Sequence, residues 1–208
     1  MHFDILISFM IATAVLAISP GPDNIYVLMQ SLVHGKKFGI ATVCGLMTGC
    51  LVHTTLVAFG FSALIRANES LYFFIKLLGA LYLFYLAYKV FRSDAELSIE
   101  NKNIPKKTTS QLFKQGFIMN VLNPKVSIFF LAFFPGFLFS DTINNVAQFY
   151  ILGLLFMIVS FIIFGTIAIL SGMISEFIKK HKHVGLILKW LQIVVFVGIA
   201  IFILLSRK

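Results

Sequence analysis

Residues 18–29 read ISPGPDNIYVLM. The stretch lies inside an apolar segment and yet holds Pro20, Gly21, Pro22, Asp23 and Asn24. Proline lacks a backbone donor and clashes with the preceding turn, so Pro20 and Pro22 predict a helix that kinks or unwinds here. What surrounds the break decides what it is for.

Outward from it the chain is 59% hydrophobic and only 12% charged, with 24 Phe among 208 residues. Apolar stretches of about 20 residues, enough to cross a bilayer as helix, recur over 5–29, 39–65, 71–91, 112–139, 146–172 and 185–206. This predicts an all-α integral membrane protein with six transmembrane helices, the first and fourth interrupted by proline motifs and either fully spanning or re-entrant. MHFD at the start has no basic run, and apolar sequence resumes after the break, so the first segment reads as a retained helix and not a cleaved signal.

The formal charge of +9 is informative through its placement. Most of the 17 basic residues fall between spans one and two (Lys36, Lys37), around the third connection (Lys89, Arg92, Lys102, Lys106, Lys107, Lys114) or between spans five and six (Lys179, Lys180, Lys182). Arg66, Arg207 and Lys208 stand opposite. The positive-inside rule then puts the odd-numbered connections in the cytoplasm and both termini outside. The charge reports topology and argues against a nucleic-acid partner. Cys44 and Cys50, six apart on one helix, face different ways. They form neither a disulfide nor a metal pair and read as small apolar fillers.

The polar segment SDAELSIENKNIPKKTTSQ (93–111) divides the chain into a first repeat, 1–92, and a second, 112–208, of one transmembrane domain. Each half opens with a proline-broken span, SPGPDN in one and LNPKVS in the other. Each closes with a span that begins on a lysine, FIKLLGALYLFYLAYKVFR against LILKWLQIVVFVGIAIFILLSRK. Three spans per half is an odd number, so the halves face opposite ways as two inverted repeats. Broken helices at matching places in inverted repeats mark the substrate site of a secondary transporter.

Backbone groups freed by Pro20, Gly21, Pro22 and Pro124 survive in a membrane only where protein or a polar cavity satisfies them. Of the 8 acids only Asp23 lies inside a span, and Lys125 is about as deep in the fourth. Each charge costs at least roughly 2.5 kcal/mol there, so each needs a partner or a duty. One reading is a direct Asp23–Lys125 ion pair. The other is that they bracket a zwitterion, its carboxylate against Lys125 and a half-helix N-terminus, its ammonium against Asp23 and the carbonyls freed at a half-helix C-terminus. Asn24, Asn120 and Asn123 complete the candidate substrate site; Asn120 and Asn123 could equally cap the broken helix.

Gly45, Gly49 and His53 share one face of the second span, where small residues admit a close neighbour, either inside one chain or in a homodimer. His53 can titrate near neutral pH and joins Asp23 as a candidate proton carrier, with hydrogen-bonded packing as its plainer role. Lys76 and Lys189 sit near span ends, where tethering at the interface is the simplest duty. Tyr82 and Tyr85 read as packing, and His181 and His183 as part of a solvated basic loop.

SPGPDN, HGKKFG, GLMTGCLVH, IKLLGALYLFYLAYK and FKQGFIMNVLNPKVSIFFLAFFPGF together resemble the lysine exporter and homoserine/threonine exporter (LysE/RhtB) family. The resemblance implies a proton-motive-force-driven exporter of amino acids or their derivatives in the bacterial inner membrane. The family's motif residues fall on Gly21, Pro22, Asp23, Gly35, Gly39, Gly45, Gly49, His53, Lys76, Gly79, Tyr82, Gly116, Asn120, Asn123, Pro124 and Lys125. Gly136 and Ala87 depart from the family's usual Gln and Gly. Rival readings are an exporter of metal or other inorganic cations, a membrane-embedded enzyme, and a structural scaffold. One acid and one histidine in the spans supply few ligands for the first. No HExxH, GxSxG or paired acid supports the second. A scaffold would not need two matched breaks. No cofactor, metal or catalytic residue is expected.

Overall fold

Two helix breaks organise the chain. A computed structural model describes the backbone of residues 3–67, 69–93, 106–181 and 183–205, and their side chains except at 61–67, 69–72 and 179. The expected linker therefore lies largely outside the described residues, as do Lys182, Arg207 and Lys208.

Helix α1 (Phe3–Ile18) meets α2 (Pro22–His34) at an angle of 61°. Pro22 takes the first helical position, where its missing N–H is not needed, and Gly21 precedes it in extended conformation. Gly35, with φ 99°, turns the chain from α2 into α3 (Lys36–Ala67). After α4 (Glu69–Arg92), the second break joins α5 (Thr109–Val121) to α6 (Pro124–Ile128). Thr108 and Gln111 form a capping box at the start of α5, so the helix begins inside the stretch expected to be linker. The second pair bends by 49°.

The segment after α6 is more irregular than one proline predicts. Residues Phe129–Phe133 form a π-helical turn and Phe134–Phe137 a 3-10 turn. The buried Phe row explains this: Phe130 stacks on Phe134 with centroids 4.0 Å apart, and Phe9 of α1 meets Phe134 edge-on at 5.0 Å. Helix α7 (Asn145–Ile169) follows; Gln148 accepts from Phe139 and Ser140 N–H and donates to the Ser140 and Ile143 carbonyls, fixing the connection before it. The fifth apolar stretch stops at Ile169, earlier than expected, because a separate amphipathic helix α8 (Ser171–Lys180) begins there. Helix α9 (Val184–Leu205) completes the described chain.

Among the described residues every regular element is helical. Four helices are long and apolar enough to cross a membrane, or up to six if each bent pair is one span. Helix α3 packs on α5 and α7, α4 on α9, and α1 and α2 on α7. The α3–α5 contact is backbone against backbone: a Cβ on Gly45 would collide with the Phe113 carbonyl, and one on Gly116 with the Thr42 carbonyl. The glycine face of α3 is thus filled within one chain and is not left for a second copy. Lys76 is another correction. It is buried in the protein instead of reaching outward, whereas half-buried Lys189 donates to the Ser93 carbonyl at 2.7 Å.

Over-packing a close helix contact costs about 1–3 kcal/mol. Gly116→Val is therefore expected to lower the thermal unfolding midpoint of the protein in detergent. Gly198→Ala, where nothing lies within 4 Å of the added Cβ, should leave it unchanged.

Candidate functional site

Pro20 has no N–H, so the Leu16 carbonyl four residues earlier loses its helical partner. The Lys125 ammonium replaces it, donating to the Leu16 carbonyl at 3.2 Å and the Ser19 carbonyl at 3.1 Å. The Ala17 carbonyl is met at 2.7 Å by the side-chain amide of Asn24. Pro124 leaves the Asn120 carbonyl in the same position at the second break. His53 Nε2 donates to it at 3.1 Å, and the Asn123 N–H does so at 3.0 Å. Since a carbonyl only accepts, this nitrogen of His53 carries hydrogen. The carbonyls freed by Pro20 and Pro124 are thus each met by a basic side chain from another segment of the chain.

The two breaks meet at one small, partly open pocket of about 30 Å³, room for a few waters at most. Asp23 lines it from the first turn of α2 and accepts from Asn123 Nδ2 at 2.9 Å. Asn123 also caps α6, its Oδ1 accepting from the Lys125 N–H at 3.0 Å. One asparagine therefore fixes both charged residues, the side chain of one and the backbone of the other. Asp23 is 6% exposed and stands at the positive end of α2, where a carboxylate is favoured. Asn120 also lines the cavity, with Oδ1 buried and without a hydrogen-bond partner.

Two expectations change here. Asp23 and Lys125 form no ion pair within 4.0 Å, because Asn123 takes the carboxylate and the α1 carbonyls take the ammonium. The carbonyls expected to await a ligand's ammonium are already occupied by Lys125 and Asn24. His53 does not line the cavity; it is 5% exposed, stands behind Asn120 and has its ring 5.4 Å from that of Phe130.

Other lining residues escaped the sequence reading. Ser160 and Phe156 come from α7, and Met47 and Cys50 from α3. Ser160 is 1% exposed with its Oγ unpartnered, and a lone hydroxyl deep in an otherwise apolar span was the available signal. Cys50, read as filler, is fully buried and shares the cavity wall. Tyr82 and Tyr85 do not line it; their rings are 5.9 Å apart, and Tyr85 is largely exposed. Exposed His181 is hydrogen-bonded to the Phe177 carbonyl of its own helix. Among the described residues no three His, Cys, Asp or Glu side chains gather as metal ligands would.

The chain matches the LysE type translocator family over residues 14–207, a region that includes both breaks and the whole cavity. The chain belongs to this family. It is similar to the homoserine/homoserine lactone efflux proteins of Salmonella typhimurium and Salmonella typhi, each 28% identical over 183 residues that cover 88% of this chain and 88% of the relative. No solved structure matches it. As a LysE type translocator it is a multi-pass membrane transporter and not an enzyme, and its cavity is a candidate for binding a small molecule.

Asn123→Ala removes the cap of α6 and the side-chain amide that donates to Asp23. A lost cap together with an unsatisfied buried acceptor should destabilise the protein by about 2–3 kcal/mol. Thermal unfolding should show the drop, and Asn123→Ser, which keeps a capping oxygen, should show less of it.

Proposed function

We propose that this LysE type translocator exports amino acids or amino-acid derivatives across the bacterial inner membrane by alternating access coupled to proton entry. One observation carries the reading. An acid and a base, fixed at equivalent positions of two proline-broken helices, face one cavity without forming a direct ion pair. A zwitterion is the ligand that can engage both. Its carboxylate would draw Lys125 away from the α1 carbonyls, and its ammonium would take those carbonyls and Asp23. Asn24, Asn120 and Asn123 would supply the remaining hydrogen bonds. The cavity must widen for this, as alternating access requires. The efflux activity named for the Salmonella relatives supports the class of substrate.

Six spans in two inverted repeats, 1–92 and 112–208 joined through 93–111, are the architecture proposed for the movement. The packing supports it: exchanging the two halves maps α4 against α9 and α3 against α7 onto themselves, and α3 against α5 onto α7 against α1. Lys106 lies 6.0 Å over the Phe38 ring, so the first and third connections share a face, which fits a cytoplasmic side rich in lysine and termini outside. Protonation of Asp23 from outside would weaken its hold on the ammonium and release it. His53 is the second coupling candidate, through the ring nitrogen not bound to Asn120.

The test is efflux from proteoliposomes loaded with a mixture of labelled amino acids, homoserine included, under an inward proton gradient. Selective, gradient-driven efflux is expected. Asp23→Asn and Lys125→Met should each lower it at least about tenfold, in the range of losing one charged hydrogen-bond partner of the ligand. His53→Gln keeps a donor for the Asn120 carbonyl but cannot titrate, so it should abolish pH dependence only if His53 carries protons. If folded protein moves none of the compounds, the amino-acid reading fails.

A further inference from the structure

Among the described residues, every buried side-chain N or O atom without a hydrogen-bond partner lies on α1, the first break, α2, α5 or α7. Asn120 Oδ1 and Ser160 Oγ face the cavity already described. Of the five others, Thr13 Oγ1 and Ser19 Oγ lie on α1 and at the first break, and three, Tyr26 Oη, Gln30 Oε1 and His34 Nε2, share α2. At 100° per residue, Asp23, Tyr26, Gln30 and His34 fall within one face of α2, and the three gaps between them are about 4–6 Å along the axis. That spacing suits single bridging waters. Buried polar groups are almost always satisfied, by protein or by ordered water, and here protein does not do it.

We infer that the Tyr26–Gln30–His34 face of α2 lines a hydrated route, about 16 Å long, that connects the cavity to the end of the molecule at which α2 turns into α3. Gln30 is the decisive residue. It is 1% exposed, and unlike buried Ser31 of the same helix, whose hydroxyl donates to the Val27 carbonyl, its amide oxygen has no hydrogen-bond partner. A hydroxyl, an amide and an imidazole offer hydrogen bonds without a fixed charge, which suits water and a zwitterion that must pass without being held. Helix α8 packs against α2 and α7, and its Ser171 and Ser175 are buried. The exposed Lys36 and Lys37 flank the mouth of the route, at its His34 end. Under the charge-based topology it is the cytoplasmic one, and an exporter's substrate would enter there.

The route rests on the translocation reading, though not on which compound moves, and thiol accessibility separates the two. Gln30→Cys and, on the same helix but off this face, Leu28→Cys would be treated with a membrane-impermeant thiol reagent in inverted vesicles and in whole cells. Peptide mass would then locate the modification. Reaction at position 30 should exceed that at position 28 by about tenfold or more, because a thiol reacts only where water ionises it and the reagent reaches it. The excess should appear in inverted vesicles, where Lys36 and Lys37 face outward. Tyr26→Cys reads the same route if Gln30→Cys fails to insert. Equal, slow reaction at both positions would overturn the route, and reaction only from the other face would overturn its direction. Fast labelling of a protein that exports no amino acid would sink the substrate class and leave the route standing.

Discussion

The Leu16 carbonyl, stripped of its helical partner by Pro20, is where the structure begins to be explained. In a membrane nothing but protein or trapped water can satisfy it, and Lys125 does so from more than one hundred positions away. That bond puts α6 against the end of α1 and therefore brings the two breaks together. Asn123 then has Asp23 within reach, and the same side chain that caps α6 holds the carboxylate. The Asn120 carbonyl repeats the logic with His53 as its donor. Each break would be a defect alone. Side by side, they make a polar site inside an apolar bundle.

Close helix contact keeps this geometry in place. Gly45 and Gly116 let α3 and α5 touch along their backbones, and Gly49 brings α3 against the Asn120 side chain. The Asn120 carbonyl can then meet His53, one turn further along α3. On the other side of the cavity the Phe row after α6 wedges against Phe9 of α1 and Phe156 of α7. Its π and 3-10 turns are the adjustment that lets five phenylalanines, Phe129, Phe130, Phe133, Phe134 and Phe137, all reach the core.

Both breaks, the apolar spans and the buried charges were legible in the sequence, because proline and charge in a membrane helix carry penalties that only a few arrangements tolerate. The pairing of those charges was not. Complementary sign left a direct Asp23–Lys125 pair as one of two readings, but an ammonium has three donors and a freed carbonyl is a ready acceptor. Which acceptor wins depends on how far α6 stands from each, a matter of helix packing. Lys76 misled for a similar reason: its position near a span end suggested a reach toward the interface, and the fold buries it. Helix α8 starts at the end of the fifth apolar stretch and runs on into the connection after it, and hydropathy does not register where one helix ends and another turns away.

The sequence by itself determined that this is a helical membrane chain broken twice, with one acid and one base at the breaks, because hydropathy, proline and charge act locally and need no fold to be felt. The tertiary structure decided that the breaks share a cavity, that Asn123 and the α1 carbonyls stand between Asp23 and Lys125, and that the glycine face of α3 is spent on α5. Those outcomes depend on which helix lies beside which. Distances of 3 Å between residues 100 or more apart are set by packing, and no local rule contains them.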